Sequence, residues 1–183
     1  MMTIKIIILT VLLSTSTSLM SASGNDLVEA AERNDKSYLQ KAITNGVDIN
    51  SHNSNGATIL MAAAIKGHSE LVTYLLDRDA NPNILNNQGI GPLYAACMFG
   101  YTDIASNLLK KGANPNVRIN TPNATPLFAA VLNYRKEIVK LLLKNGAELN
   151  IKNSKGQIVI EVADDKEINE ILVNHQLADN QIE

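Results

Sequence analysis

Residues 80–83 read Ala-Asn-Pro-Asn, and residues 113–116 read Ala-Asn-Pro-Asn again, 33 positions later. A recurrence at this interval is the signature of an architecture in which one supersecondary unit is copied along the chain. The copies extend in both directions. Val47-Asp48-Ile49-Asn50 lies the same interval upstream of the first motif, and Ala147-Glu148-Leu149-Asn150 lies one position more than that interval downstream of the second. Glycine precedes three of the four, at Gly46, Gly112 and Gly146, and Asp79 holds the fourth position. An apolar stretch comes before three of the motifs: TYLLDR (73–78), SNLLKK (106–111) and KLLLKN (140–145). After the motifs a polar loop leads into GATILMAAA (56–64), GIGPLYAAC (89–97), NATPLFAAV (123–131) and GQIVIEVAD (156–164).

Each unit reads as two short helices. The first starts near Thr58, Gly91, Thr125 or Ile158, and Pro92 and Pro126 stand in its first turn, where a missing N–H costs nothing. The pairs Ala62–Ala63, Ala95–Ala96 and Ala129–Ala130 carry little bulk and let neighbouring helices approach closely. Gly67 and Gly100 suit left-handed caps. The second helix places Leu71, Val72, Leu75 and Leu76 on one apolar face, with Ile138, Val139, Leu141, Leu142 and Leu143 as the counterpart set. Pro82 and Pro115 forbid its continuation. Asparagine tolerates left-handed geometry and forms Asx turns, so the Asn-rich loops are tight turns. Helices of two to three turns are not stable alone in water. The predicted fold is therefore an all-α solenoid of helix-turn-helix units joined by β-hairpin-like loops, in which each unit needs its neighbour to bury its apolar face.

The segments GATILMAAAIKGHSELVTYLLDRDANPN (56–83) and NATPLFAAVLNYRKEIVKLLLKNGAELN (123–150) resemble ankyrin repeats, whose pattern runs G-x-T-P-L-H-x-A-A-x-x-G-H…V-x-x-L-L-x-x-G-A-x-x-N. The resemblance covers residues 25–176. It divides them into a half-matching N-terminal repeat (25–54), full repeats (55–87, 88–120 and 121–153) and a C-terminal cap (154–176), with a tail at 177–183. The His of the family's T-P-L-H is replaced by Met61, Tyr94, Phe128 and Glu161, so the hydrogen-bond ladder made by that His is expected to be absent. In the third full repeat, Asn133-Tyr134 occupies the turn where a glycine is expected. The loop Val117–Ala124 has one extra residue and includes Pro122, so that finger should protrude differently.

The resemblance implies a binding module for another protein, held by loop tips and by the exposed side of the first helices along a concave face. Carried over by position, the loop contacts include His52, Leu85, Ile90, Arg118 and Lys152. The first-helix contacts are Ile65 and Lys66, Met98 and Phe99, Leu132 and Asn133. The middle repeat concentrates apolar side chains at these places. Leu85, Ile90, Met98 and Phe99, with Tyr94 and Tyr101 nearby, would form an apolar patch of the kind that marks interaction sites. Lys66 and Arg118 complete the candidate partner-binding set.

Composition excludes several other functions. The 183 residues are 45% apolar but only 4% aromatic, with no Trp, so the core must be Ala, Leu, Ile and Val. A formal net charge of −2 offers no basic excess for a nucleic acid. The three histidines are far apart and lack metal-ligand spacing, and no cofactor motif appears. Cys97 stands alone, so no intramolecular disulfide can form, and nothing nearby would activate it as a nucleophile. The chain reads as a non-enzyme and a monomer. A catalytic site assembled across repeats would require clustered titratable groups, where the sequence places mostly Asn, Ser and apolar residues.

The N-terminus has a different character. In MMTIKIIILTVLLSTSTSLMSASGND, Lys5 precedes an apolar run, Ile6–Leu13, and small residues follow from Ser21 to Gly24. This is the layout of a secretory signal over residues 1–23, with cleavage expected near Ala22 or Ser23. The run is shorter than the roughly 20 residues of a membrane span. Removing Lys5 would leave 15 basic and 18 acidic residues, a formal charge of −3 (16 − 1 − 18). The expectation is an exported protein, periplasmic or secreted, with a secreted effector that binds a host protein as the variant reading.

Overall fold

The computed structural model describes residues 22–120 and 125–179. The leader expected at residues 1–23 falls almost wholly outside them, as does the part of the enlarged loop at 121–124. Five helical hairpins follow one another: α1 (Gly24–Glu32) with α2 (Lys36–Thr44), α3 (Ile59–Lys66) with α4 (Ser69–Leu76), α5 (Pro92–Phe99) with α6 (Thr102–Lys110), α7 (Pro126–Leu132) with α8 (Lys136–Lys144), and a 3-10 turn (Val159–Val162) with α9 (Lys166–Asp179). The first members of each pair stack on one another, α1 on α3 on α5 on α7 on the 3-10 turn. In the second layer α4, α6, α8 and α9 stack in the same order. Between the layers lies a single core of Leu, Ile, Val and Ala, in which Leu71, Leu75, Ile104, Leu108, Ile138 and Leu142 are buried.

The local chemistry is that expected from the repeat. Thr58, Gly91, Thr125 and Ile158 are the N-cap residues of α3, α5, α7 and the 3-10 turn, and Pro92 and Pro126 occupy the first turn. The second helices α2, α4, α6 and α8 end identically. The residue preceding Val47, Ala80, Ala113 and Ala147 is left-handed in each case, at Gly46, Asp79, Gly112 and Gly146. The next N–H then reaches back to the carbonyl five positions earlier, as from Ala80 to Leu75 and from Ala113 to Leu108. Asp79 adopts φ 61° where its counterparts are glycine. The turns between paired helices repeat the device at Asn34, Gly67, Gly100 and Tyr134. At Gly67 a side chain is also excluded by space, because a Cβ would stand 2.7 Å from Tyr101 Cζ of the next repeat.

The repeated tetrapeptide has a double purpose. Its first asparagine closes a local turn: Asn81 Oδ1 accepts from the N–H of Asn83, and Asn114 Oδ1 from that of Asn116, each at 2.9 Å. The second asparagine clips the following unit. Asn83 Oδ1 accepts from the N–H of Asn114 at 2.8 Å, and its Nδ2 donates to the Gly112 carbonyl at 2.9 Å. Asn50 clips Asn81 in the same way, and Asn116 clips Glu148 and Gly146. Ion pairs Lys36–Glu70, Lys111–Asp77 and Lys136–Glu167 run between neighbouring second helices, but all are exposed and contribute little individually.

Two expectations are revised, both near the C-terminal end. The N-terminal unit, whose sequence matches the repeat only by half, is a whole hairpin: Ser23 caps α1 through a reciprocal pair of hydrogen bonds with Asp26, and Asp35 caps α2. Those bonds hold the Asp26 and Asp35 carboxyls below the ordinary carboxylate range. At the other end, the first helix of the cap is reduced to a 3-10 turn. The last helix runs to Asp179, so the tail placed at 177 begins inside it. Gln176 stands where a helix-ending glycine would, and nothing stops the helix there. Met61 and Phe128, at the family's His position, are buried, so apolar packing replaces the histidine ladder.

Leu108→Ala, which truncates a fully buried side chain, is expected to cost about 2–5 kcal/mol. Asn83→Ala, which removes two inter-repeat hydrogen bonds from an exposed position, is expected to cost about 1–3 kcal/mol. Urea unfolding followed by circular dichroism ranks the two; an Asn83→Ala chain as stable as the parent removes the clip from the account.

Candidate functional site

Three of the finger loops are each shaped by one asparagine, and the other, at 117–120, has the buried Ile119 in its place. Asn53 Oδ1 accepts from the N–H groups of Asn55 and Ala57, both at 3.0 Å. Asn86 does the same for Gln88 and Ile90, and Asn153 for Lys155 and Gln157. In each finger the asparagine N–H also donates to the carbonyl four positions on, to Ala57, Ile90 and Gln157. The hairpin-like character is thus present, although only the pair His52–Thr58 forms a β-bridge among the described residues. Adjacent tips are stitched together, Asn87 N–H to the Asn55 carbonyl at 3.0 Å and Asn120 N–H to the Gln88 carbonyl at 3.1 Å. The fingers are therefore a fixed edge with outward-facing side chains.

The expected partner-binding residues divide between two environments. Met98 (39% exposed), Phe99 (43%) and Leu85 (36%) are outside. Lys66 and Arg118 are exposed as well, and Ile90 and Tyr101 are half-buried. Tyr94 is corrected: at 6% exposure it belongs to the core, filling the place of the family's histidine, and offers no contact surface. The patch also has two ends. Leu85 rests against the start of α5, where a Cβ on Gly91 would stand 2.9 Å from its Cδ2. Met98 and Phe99 lie at the other end of that helix, about 10 Å away by helical rise, with the buried Ala95 and Ala96 between. Tyr101 is committed to packing: its ring covers Gly67 and sits 6.1 Å from the Phe99 ring.

Leu132, the counterpart of Met98 in the next repeat, is 39% exposed at the corresponding end of α7, and Ile65 is half-buried at that of α3. The apolar surface is thus a row, one residue per repeat. Tyr134 was not anticipated as a surface group. It projects at 60% exposure from a left-handed backbone, and its hydroxyl donates to Asp164 Oδ2 at 3.0 Å, which keeps the phenol above its ordinary pKa. Its occupation of a glycine position was the available signal.

The family model described as Ankyrin repeats (3 copies) matches residues 27–119 and 80–153, together more than half of the chain. The chain belongs to the ankyrin-repeat family. Its ankyrin repeats suggest a protein–protein interaction module.

Reactive chemistry is sparse on the molecule. Among the described residues no group of three or more His, Cys, Asp or Glu side chains is placed to hold a metal ion, and no helix is long and apolar enough to cross a membrane. His68 Nε2 lies 3.0 Å from the Glu32 carbonyl and tethers successive repeats. Asp165 caps α9, its Oδ1 accepting from the Ile168 N–H at 2.8 Å. Cys97 is wholly buried on α5, and burial pushes its thiol far above the ordinary value. In the folded protein Cys97 should resist alkylation by iodoacetamide at neutral pH and react once urea unfolds the chain; mass spectrometry of the two samples makes the comparison, and rapid native labelling would contradict the burial.

Proposed function

We propose that this ankyrin-repeat protein works outside the cytosol as a binding scaffold, and that it holds its partner on the face made by the finger tips and the exposed ends of the first helices. The observation that carries this reading is the row of exposed apolar side chains, Met98 and Leu132 in successive repeats with Phe99 beside the first, on a backbone already fixed by hydrogen bonds. Exposed apolar surface has no use in holding the repeats together, whereas a preformed surface lowers the ordering cost of association. Met98 and Phe99 lie in the last turn of α5, and their outward side chains can be changed without opening the core.

Export rests on the leader-like sequence of residues 1–23. Its support from the folded part is that α1 begins at Gly24 with Ser23 as its cap, at the end of the small-residue run and past the apolar segment. A secreted effector acting on a host protein would use the same surface, and recovery from the medium instead of the periplasm separates the two addresses.

Charging both positions, Met98→Asp with Phe99→Asp, should leave the melting temperature within a few degrees and abolish capture of the natural partner by the purified chain. Undiminished capture by the doubly charged variant defeats the surface. In parallel, the intact mass of the exported protein should correspond to a chain starting at Ser23 or Gly24; an uncleaved chain retained in the cytosol defeats the export half alone.

A further inference from the structure

His52, Leu85, Arg118 and Lys152 hold the same place in four successive fingers, each about one repeat beyond the last. At the next position, Asn53, Asn86 and Asn153 build the same turn. The column is physically continuous at its far end, where Arg118 Nη2 donates to the Lys152 carbonyl at 2.9 Å. That bond fixes the guanidinium while using one of its five N–H donors.

The charge along this edge has one sign. The finger segments 51–57, 84–90, 117–120 and 151–157 contain Arg118, Lys152 and Lys155 but no Asp or Glu. Residues 121–124, Thr-Pro-Asn-Ala, add no charge in sequence. Just beyond the last finger comes Glu161, and its Oε2 accepts from the Ile158 N–H at 3.0 Å. Before that finger lies Glu148, whose Oε1 accepts from Asn116 Nδ2 at 3.3 Å; within the finger segments themselves, on a chain whose net charge is −2, this run of cations is a local exception. It adjoins the apolar finger position Leu85, which is exposed, and Ile90, which is half-buried.

We infer that the partner segment held by this edge is an extended, acidic polypeptide: an apolar side chain seated on Leu85 and Ile90, followed at three-residue intervals by carboxylates that meet Arg118 and then Lys152 and Lys155. The interval follows from geometry. Stacked helices lie about 8–10 Å apart, and a ligand in the extended polyproline II conformation advances about 3.1 Å per residue and brings every third side chain back to the same face, so three residues of ligand span one repeat. Arg118 presents a planar fork suited to a carboxylate. The neighbouring apolar anchor favours a polypeptide over a lipid headgroup or a nucleic acid, for which three cations on an otherwise acidic protein are too few. The inference rests on the finger face being the binding surface, and it specifies the chemistry of what binds there.

A displayed library of random dodecapeptides, selected on the purified chain, tests it. The expected consensus is an apolar residue followed by Asp or Glu three and six positions away. The resynthesised peptide, read by fluorescence anisotropy, should bind at least about tenfold more weakly to the double variant Arg118→Glu with Lys152→Glu. It should also weaken as salt rises from about 0.05 to 0.5 M. Selected peptides without acidic residues, or acidic ones indifferent to the double variant, overturn the inference; if they are lost on charging Met98 and Phe99, the surface itself stands. Failure to enrich any peptide overturns the inference too, leaving the surface to be judged by partner capture with the Met98 and Phe99 variant. Binding to phosphatidylserine vesicles that the double variant abolishes, with no peptide selected, reassigns these cations to a lipid headgroup.

Discussion

None of the short helices in this protein can stand alone, and that shortage of local stability governs the rest of the structure. Helices as short as α3 and α6 leave most of their terminal N–H and C=O groups without helical partners and have too little apolar surface to persist in water. The chain meets both deficits in the same way, by copying. Left-handed residues, including Gly46, Gly67, Gly100 and Gly112, turn orphan carbonyls back onto the backbone, and each apolar face is covered by the corresponding face of the next unit. The asparagine clips at Asn50, Asn83 and Asn116 hold the register of that stacking.

Much of this was legible because it depends on residues with few conformational alternatives. Proline in a first turn, glycine after a leucine-rich helix and asparagine in a tight turn each have a narrow structural meaning, and the N-caps at Thr58, Gly91, Thr125 and Ile158 fell where they were read. The misreadings came from positions where the side chain can serve either environment. Tyr94 is amphipathic and could have faced solvent or core; its place in the histidine column, between fully buried Met61 and Phe128, puts it inside. The N-terminal repeat matches the consensus only by half because Ser23, Asn34 and Asp35 replace the consensus residues while meeting the same backbone requirements. The length of α9 was hidden because it follows from what is missing at Gln176.

The candidate surface was legible in part for a related reason. Which positions face outward follows from the repeat, so Met98, Phe99 and Leu85 could be picked from their spacing. How far apart they lie follows from helix length, and only the coordinates reveal that the apolar surface is a row across repeats instead of a patch within one. The charge on the edge is subtler still, since Arg118, Lys152 and Lys155 are unremarkable one at a time. Their meaning comes from the absence of any carboxylate in the same finger segments.

Every clip and tether described between units joins residues about one repeat apart: 31 separates Asn83 from Asn114, and 36 separates Glu32 from His68. No bond among them ties the two ends of the chain together. A polypeptide wired in this way has low contact order, and it can assemble vectorially. Each hairpin closes as soon as its successor has emerged from a ribosome or a translocation channel, so completion proceeds from the amino terminus onward without waiting for the last residue to arrive.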